Sequence, residues 1–347
     1  MNIAIVFGGS SFEHEISIVS AITLKGVIKK HTLQFIFIDA QRDFYLIDAA
    51  NMKSKFFSEK EYLKKGKKLT LQKGGFAIPA LFGEKRVDFD VALNLIHGRD
   101  GEDGKLAALF EFFGIKFIGP RVEASVLSFN KLYTKFLADS LGVKTIDYKT
   151  LSRGESRDIT LEYPVIIKPT RLGSSIGVSI VKSEEELNYA LDVAFEFDDE
   201  VLIEAFIEGI KEYNLAGAYA KEWILSIVEE PQKEEFLDFD KKYMDFSRDE
   251  RVSQAQIENS LIKKLEENFK RVYNPLFRGA VIRCDFFVIE DEVYLNEINP
   301  IPGSLANYLF EDFDTLLGKV ATNLPKEKKI DIDYLYINSI QKAKGKA

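Results

Sequence analysis

Residues 281–300 read VIRCDFFVIEDEVYLNEINP, and this stretch determines how we interpret the rest of the chain. Two apolar runs rich in β-branched and aromatic residues flank a short acidic turn, a pattern typical of a β-hairpin. If the turn centres on the middle residue of EDE, Asp285 lies opposite Glu297 and Arg283 lies opposite Asn299. Because side chains two apart share one face of a strand, all four would project from the same face.

The opposed carboxylates of this hairpin predict a metal site. Two carboxylates directly across a ladder repel each other unless a proton or a cation lies between them. Oxygen ligands without His or Cys suit a hard cation such as Mg²⁺. The alternative is a solvated hairpin face, on which Asp and Glu are common. The apolar character of both strands indicates burial and favours the metal site.

Length and composition predict a globular protein of two or three domains. The chain has 347 residues, of which 46% are apolar and 29% charged, enough for a sizeable core. The net charge of −8 argues against a nucleic-acid-binding surface. The lysines near the C-terminus are interpreted as a solvated end: Lys326, Lys328, Lys329, Lys342, Lys344 and Lys346.

The cysteine and histidine content points to a reducing compartment and away from zinc. A single cysteine, Cys284, excludes an intramolecular disulfide. Three histidines without HExxH spacing offer little for a zinc site. The sequence shows no signal peptide and no run of ~20 apolar residues that would cross a membrane. We therefore predict a cytoplasmic protein without a membrane partner.

Alternating strand and helix patterns divide the chain into three predicted domains. A strand, a glycine turn and a helix open residues 1–119, which we predict to be an α/β domain with a mostly parallel sheet. Within it, residues 41–87 suggest hairpins and a lysine-rich helix near 58–68. Residues 120–206 read as a central α+β domain. Residues 207–347 form the third domain, which contains a polar loop, a helix and the hairpin.

Residues 163–181 read as a strand, a loop and a second strand, with Lys168 at the end of the first strand and two glycines and two serines at 173–177. This pattern predicts a phosphate-binding loop. Its glycines would let backbone N–H groups approach phosphate oxygens, the serine hydroxyls would add donors, and a lysine supplies a point charge. It lacks the GxxxxGK[ST] pattern of a Walker A loop. An ordinary hairpin with flexible glycines is the alternative. Together with the acidic hairpin, this loop implies a nucleotide bound between two domains.

Six motifs in this order resemble the D-alanine–D-alanine ligase family of the ATP-grasp superfamily, across nearly the whole chain. They are GGSSFEHEIS at 8–17, HGRDGEDG at 97–104, KPTRLGSSIG at 168–177, Lys242-Tyr243, RCD at 283–285 and NEINPIPG at 296–303. The resemblance implies an ATP-grasp fold of class α/β (α+β), in which a parallel-sheet N-terminal domain precedes two nucleotide-grasping domains. A homodimer is implied by the resemblance alone.

The resemblance also implies the ATP and metal ligands. Two Mg²⁺ ions, replaceable by Mn²⁺, would be held by Asp285, Glu297 and Asn299. Phosphates, adenine and ribose would contact a larger set: Lys131, Lys168, Gly173, Ser175 and Lys242 at the phosphates, Glu204, Phe206 and Ile207 at the adenine, and Glu212 at the ribose.

Substrate binding and catalysis are assigned in the same way. Glu13 would bind the ammonium of the first D-alanine, helped by Ser174 and Tyr243 in a hydrogen-bonded trio, with His97 nearby. Arg283 and the Gly303 N–H would stabilise the tetrahedral intermediate. Without the joint pattern, Glu13 would be an ordinary acidic residue at a helix N-terminus, His97 a loop histidine and Tyr243 a surface aromatic.

The sequence departs from the family pattern in two places. Asn130 stands before Lys131, where the family usually has Asp. The segment after Gly303 lacks the expected Thr- and Ser-containing run, and the position that should bind the second substrate's carboxylate is Tyr308, followed by Leu309. Tyr308 either donates to that carboxylate or packs beside Phe310 at a helix start.

The predicted activity is ATP-dependent ligation of two D-alanines through a D-alanyl phosphate, for peptidoglycan precursor synthesis. A close rival is a depsipeptide ligase that joins D-alanine to D-lactate, against which Tyr243 argues. A non-catalytic ATP-grasp nucleotide sensor is a rival of another class. The retained charges of Glu13, Arg283, Asp285 and Glu297 argue against a sensor.

Overall fold

The computed structural model describes residues 1–231, 252–274 and 276–344, which form three β-sheets with flanking helices. The first sheet has eight strands in the order β6-β5-β4-β3-β2-β1-β7-β8. Their bounds are β1 Asn2–Gly8, β2 Thr32–Ile38, β3 Phe44–Ile47, β4 Lys67–Gln72, β5 Gly75–Pro79, β6 Glu84–Arg86, β7 Val91–Asn94 and β8 Phe117–Ile118.

This sheet is mixed rather than mostly parallel. Three pairings are parallel, β1 with β2, β1 with β7 and β7 with β8. The other four are antiparallel, because the chain between 41 and 87 returns by hairpins, as the sequence predicted. The lysine-rich helix predicted near 58–68 is replaced by two short helices, α2 (Ser54–Ser58) and α3 (Tyr62–Lys65), and Lys67 already begins β4.

Helices cover the parallel part of the first sheet. Helix α1 spans His14–Val27 and α4 spans Lys105–Phe112. Alternate residues of β1 point to different cores: Ile3, Ile5 and Phe7 to one, Ala4 and Val6 to the other. All five are fully buried, which is the two-sided burial expected of a parallel strand covered on both faces.

The second sheet belongs to the central segment and is antiparallel, in the order β11-β10-β12-β9. Helices α5 (Val122–Phe129) and α6 (Lys131–Ser140) precede it. Helix α7 (Glu184–Phe195) buries Leu187, Ala190 and Leu191 against one face of the sheet. The strands are β9 Tyr148–Ser152, β10 Val165–Pro169, β11 Ser179–Val181 and β12 Glu200–Ala205.

The third sheet carries the hairpin, in the order β14-β13-β15-β16. Helix α8 (Asn259–Tyr273) packs against it through residues three or four apart, Leu265, Phe269 and Val272, as an amphipathic helix should. The strands are β13 Lys211–Tyr219, β14 Trp223–Glu229, β15 Ile282–Ile289 and β16 Glu292–Asn299.

The C-terminal segment returns to the core of the first sheet. A turn at Gly303–Leu309 is followed by helices α9 (Phe313–Thr322) and α10 (Ile337–Lys344). Leu305 and Leu316 are buried in the same core as strand β1. This shared core fixes the turn after the hairpin beside helix α1, where the Ser304 N–H contacts the Ser20 hydroxyl. The predicted domain boundaries after residues 119 and 206 remain predictions.

Candidate active site

The hairpin of β15 and β16 has the predicted register at its polar end. Arg283 pairs with Asn299, and Asp285 pairs with Glu297. The prediction assumed a turn centred on Asp291. The strands have the predicted pairing at this end, but the turn and the backbone between them differ from that assumption. Two features of the backbone, a two-residue turn and a bulge, together produce this pairing.

The turn and the bulge compensate each other. Glu290 and Asp291 have φ of 49° and 64°, the left-handed pair that a two-residue type I′ turn requires. That turn pairs Phe286 with Leu295. Asn296 is then an extra residue in β16, and such a bulge shifts the register by one. Beyond it, the two carboxylates face each other.

The Asp285 carboxylate is held by two neighbours on this face. The Arg283 guanidinium donates to it twice, from Nε to Oδ1 at 2.7 Å and from Nη2 to Oδ2 at 2.8 Å. The Asn299 amide donates to Oδ2 at 3.0 Å. Burial alone would lower the pKa of Arg283, but the Asp285 charge outweighs it and raises that pKa well above its usual range. The pair is a fixed charged unit in the interior.

Asp285, Glu297 and Asn299 form an oxygen-donor set that fits a hard cation. Glu297 lies opposite Asp285, with its Oε2 3.8 Å from the Lys131 ammonium and a third of its side chain exposed. Within the described residues, no group of three or more His, Cys, Asp and Glu side chains comes together as a metal site. An Mg²⁺ site here therefore needs the Asn299 amide, water or phosphate oxygens beside the two carboxylates.

Three lysines converge on the same region: Lys131 and Lys135 from helix α6, and Lys168 from strand β10. The Lys131 ammonium donates to the Leu172 carbonyl at 2.6 Å. The Lys168 ammonium donates to Glu204 at 2.7 Å and to the Asn296 side chain at 3.4 Å. Burial lowers the pKa of Lys168, but the carboxylate of Glu204 outweighs it, so the pKa is raised and the group carries a charge at neutral pH.

The departure at Asn130 preserves local structure. Its side-chain oxygen accepts hydrogen bonds from the N–H groups of Leu132 and Tyr133 at 2.8 and 3.2 Å, so it caps helix α6. Asn and Asp cap helices about equally well. Lys131 is the first residue of that helix, and the cap fixes where its side chain begins.

The glycine-rich loop after β10 reaches across to helix α1. Ser174 and Ser175 have φ of 55° and 57°, which turns the loop back sharply. The Ser174 hydroxyl donates to Glu13 Oε1 at 2.7 Å. Gly173 permits this approach, since a Cβ there would lie only 2.9 Å from the same oxygen. Two segments 161 residues apart thus meet at Glu13.

One buried carboxylate oxygen of Glu13 accepts no hydrogen bond from the described residues. Its side chain is 6% exposed, and Oε2 has no hydrogen-bond partner among the described residues. Burial, and next the charge of Glu102, raise the pKa of Glu13 to about 7, while the Ser174 hydrogen bond opposes them. An acceptor oriented into the interior without a donor is suited to a ligand that supplies one.

His97 lies beside Glu13 and is neutral. The Ser304 N–H donates to the Ser20 hydroxyl at 3.0 Å, and that hydroxyl lies 3.0 Å from His97 Nε2. The Nδ1 of His97 lies 3.7 Å from Glu102, and a hydrogen bond with the Ile301 backbone also holds the ring. Burial lowers the pKa of His97 to about 4, against the opposing charge of Glu13.

The turn that begins at Gly303 is a left-handed one. Ser304, Leu305 and Ala306 have φ of 47°, 52° and 50°, a conformation that costs roughly 1–2 kcal/mol per non-glycine residue. The Ser20 contact and the burial of Leu305 and Ala306 hold the turn in place. Consequently Gly303 has a fixed position between the hairpin and helix α1.

Tyr308 is directed at a carboxylate of the protein. Its hydroxyl donates to Glu229 at 3.3 Å, and Asn214 also donates to Glu229, at 3.1 Å. Burial raises the pKa of Tyr308 to about 12, against the nearby Arg283 charge. Leu309 is buried. Tyr308 thus lies near Arg283, as its predicted role requires, but its one proton is engaged by Glu229.

The residues predicted at the adenine and ribose lie at the junction of the second and third sheets. The Phe206 N–H donates to the Pro164 carbonyl at 2.9 Å, and Ile207 is 37% exposed. Glu212 lies on β13, and its charge helps to raise the pKa of Lys168. Glu204 is only 3% exposed, and its carboxylate contacts two lysines.

Two predicted residues lie outside the described part of the chain, and two residues of the site were not predicted. Lys242 and Tyr243 lie outside the described residues, so their roles stay predictions. Sequence reasoning missed Lys135, although its spacing of four from Lys131 places both on one helix face. It also missed Glu102, although this residue is part of the motif HGRDGEDG. Burial raises the pKa of Glu102 to about 8.

Comparison with known proteins agrees with this geometry. Residues 2–120 match the family described as D-ala D-ala ligase N-terminus, and residues 137–313 match D-ala D-ala ligase C-terminus. The D-alanine--D-alanine ligases of Sulfurovum sp. (strain NBC37-1) and Wolinella succinogenes are 66% and 60% identical over 347 residues, covering 100% of both chains in each pair.

Solved structures give the same result. The D-alanine-D-alanine ligase of Helicobacter pylori has a TM-score of 0.84 at 51% identity, covering 94% of this chain and 100% of that one. The enzyme from Coxiella burnetii has a TM-score of 0.76 at 25% identity, covering 93% of each chain. Fold and site together define an ATP-grasp protein. Within that class, the chain belongs to the D-alanine–D-alanine ligase family, which uses ATP.

None of the helices in the described parts of the chain has both the length and the apolar character needed to cross a membrane.

Proposed function

We propose that this chain joins two D-alanine molecules into D-alanyl-D-alanine, with ATP converted to ADP and phosphate, for peptidoglycan precursor synthesis. The observation that carries the proposal is the buried Glu13 oxygen that lacks a donor among the described residues, together with the Lys131 ammonium, which is close enough for its charge to act on Glu13. A small zwitterion fits between a carboxylate for its ammonium and cationic groups for its carboxylate.

The nucleotide would lie between the second and third sheets. Lys131, Lys168 and the N–H groups at Gly173 and Ser175 would contact its phosphates, with Lys242 at the γ-phosphate. Glu204, Phe206 and Ile207 would line the adenine, and Glu212 would accept from the ribose. Backbone N–H groups orient the phosphate oxygens by hydrogen bonding, and the lysines neutralise their negative charge.

Asp285, Glu297 and Asn299 would hold two Mg²⁺ ions. Bound there, the metal would supply Lewis-acid neutralisation of the phosphate oxygens. The protein's own contribution is to fix the ligands: the bulge at Asn296 brings the carboxylates opposite each other, and Arg283 and Asn299 orient Asp285. The count of two ions follows from the family resemblance.

In the first half-reaction the carboxylate of the first D-alanine would attack the γ-phosphorus, releasing ADP and forming D-alanyl phosphate. Glu13, assisted by Ser174 and Tyr243, would hold the ammonium, and neutral His97 would line the pocket. In the second, the free amine of the other D-alanine would attack the acyl carbon, losing a proton and displacing phosphate. Arg283 and the Gly303 N–H would stabilise the tetrahedral oxygen.

The affinity for the first D-alanine should depend on pH through Glu13. Its pKa is raised to about 7, so below that pH the carboxyl is protonated and loses its attraction for the ammonium. We expect the KM for the first D-alanine to rise approximately tenfold per pH unit below about 7 and to level off above it. Initial rates at saturating ATP would measure this, and Glu13→Gln should remove the inflection.

Tyr308→Phe tests how the second substrate's carboxylate is bound. If Tyr308 turns its hydroxyl from Glu229 to that carboxylate, directly or through water, losing one hydrogen bond to a charged group costs ~1.5–3 kcal/mol, or roughly 10–150-fold. We expect this loss in the KM for the second D-alanine, with the KM for ATP unchanged. An unchanged constant, or an equal loss for both substrates, assigns Tyr308 to packing and to Glu229.

The proposal also includes the domain boundaries, the oligomeric state and the location in the cell. The chain would comprise an N-terminal domain (1–119), a central domain (120–206) and a C-terminal domain (207–347), would form a homodimer and would work in the cytoplasm. A depsipeptide ligase that uses D-lactate and a nucleotide sensor are the rival functions. Phosphate release from ATP with D-alanine, L-alanine, D-serine and D-lactate separates the three, and D-alanine alone should support full release.

A further inference from the structure

We propose that Lys135 is a positioning residue of the nucleotide site: by neutralising Glu204, it leaves the positive charge of Lys168 available to a nucleotide phosphate. The inference rests on the proposed role of Lys168 as a phosphate ligand and adds a residue that does not itself touch the nucleotide.

The surroundings of Lys135 exclude direct contact with a ligand. Its side chain is 2% exposed. Its ammonium donates to Glu204 Oε1 and, at 3.1 Å, to the Ile146 carbonyl, and it lies 5.4 Å from the centre of the Tyr148 ring. Strand pairing of Tyr148 with Glu204 fixes these groups on one face of the second sheet. Protein groups therefore surround the ammonium.

Lys168 occupies the outer side of the same carboxylate. Its ammonium donates to Glu204 Oε2 at 2.7 Å, so each oxygen of Glu204 accepts from a different lysine. The Lys168 side chain is 13% exposed, against 4% for Glu204. Lys168 also lies 3.4 Å from the Asn296 side chain in the metal-binding hairpin. Of the two ammonium groups, only this one faces the proposed nucleotide site.

The charges of Lys135, Lys168 and Glu204 determine how strongly this cluster attracts a phosphate. Two ammonium ions and one carboxylate leave a net charge of about +1 in a region with little water. Without Lys135, Glu204 and Lys168 would form a neutral pair, and an incoming phosphate would meet an ammonium whose charge is already cancelled. Charges in a protein interior are poorly screened by water. Removing one unit charge a few ångströms from a bound phosphate therefore strongly changes the affinity for that phosphate.

The directions of the pKa shifts of Glu204 and Lys135 agree with this charge state. Burial raises the pKa of Glu204, but the two lysines outweigh it, and the pKa lies below its usual range. Burial lowers the pKa of Lys135, while the adjoining Glu204 charge opposes the change. The carboxylate is therefore ionised at neutral pH, and its charge favours the protonated form of the lysine on either side.

The test removes the charges one at a time and measures binding of ADP and adenosine by calorimetry. Lys135→Met should weaken ADP roughly tenfold and leave adenosine nearly unchanged, since only ADP has phosphates. Adding Glu204→Gln to Lys135→Met restores the net charge and should return most of the lost ratio of ADP affinity to adenosine affinity, a ratio from which any contact of Glu204 with the adenine cancels. Lys135→Gln, alone and with Glu204→Gln, repeats the comparison with a polar side chain that still donates to Ile146.

Lys149→Met is the matched control. Lys149 follows Tyr148 in β9 and pairs with Ile203, so it projects from the opposite face of the strand and should not affect ADP binding. Equal ADP affinity in wild type and both Lys135 variants overturns the inference. So does a loss shared by adenosine, or one that Glu204→Gln leaves uncorrected, because these indicate packing. A wild-type protein that does not bind ADP overturns the proposed function itself.

Discussion

Lys168→Ala and Glu297→Ala should each lower turnover at least ~10²-fold, the scale of losing one preorganised electrostatic partner in an active site. Lys168 is the ammonium that joins Glu204 to the hairpin, and Glu297 is the carboxylate opposite Asp285. Both neutralise or organise charge that moves during phosphoryl transfer. Phosphate release at saturating ATP and D-alanine is the measurement.

Two controls make this result interpretable. Lys182→Ala removes an exposed lysine from the end of the adjoining β11 and should leave turnover unchanged. Thermal unfolding of each variant shows whether the fold is intact, since both side chains are partly enclosed. Near-normal phosphate release by either folded variant would place the nucleotide site elsewhere in the chain.

Glu13→Gln should raise the KM for the first D-alanine by roughly 150- to 5,000-fold. Gln keeps the shape of the side chain and can still accept from Ser174, but it lacks the charge that a buried ammonium requires. Removing one partner of a buried ion pair costs about 3–5 kcal/mol, which corresponds to that range. The KM for ATP should change little, because the nucleotide contacts other residues.

Glu15→Gln is a suitable comparison for Glu13→Gln. Glu15 lies two residues further along helix α1, in its first turn, and is exposed. It shares the favourable position of an acid near a helix N-terminus but not the buried site. Equal effects of the two substitutions would mean that Glu13 acts on helix α1 and not on the substrate.

The sequence predicted the hairpin well because period-two alternation of polar and apolar residues is a local signal. The opposition of Asp285 and Glu297 was foreseen, although a turn centred on Asp291 was assumed. A two-residue turn and a bulge give the same pairing at that point. Bulges depend on twist and on packing with the neighbouring strand, so an alternation pattern does not reveal them.

Contacts between distant segments were foreseen only where family resemblance supplied them. The approach of Ser174 to Glu13 spans 161 residues, and no local pattern encodes it. The engagement of Tyr308 by Glu229 was missed for the same reason. The left-handed turn at Ser304 was also missed, because three non-glycine residues with positive φ contradict local preference and persist through tertiary contacts.

Within the first sheet, the parallel core followed from strand–helix alternation, whereas the antiparallel half did not fit the expectation of a mostly parallel sheet. The hairpins of residues 41–87 were predicted, but a local pattern does not show that strands such as β5 and β6 extend the first sheet. The missed Lys135 illustrates a further limit. A buried lysine has the same sequence signal as an exposed one at that helical position, and only the neighbouring Glu204 distinguishes it.

The central claim is that ATP hydrolysis is coupled to the joining of two D-alanines. The most direct measurement incubates the purified full chain with ATP, Mg²⁺ and D-alanine, identifies the products by mass spectrometry and counts phosphate. We predict D-alanyl-D-alanine in equal amount to the phosphate released, and no product with L-alanine. Binding of ATP without dipeptide, or product only when D-lactate is added, would contradict the account.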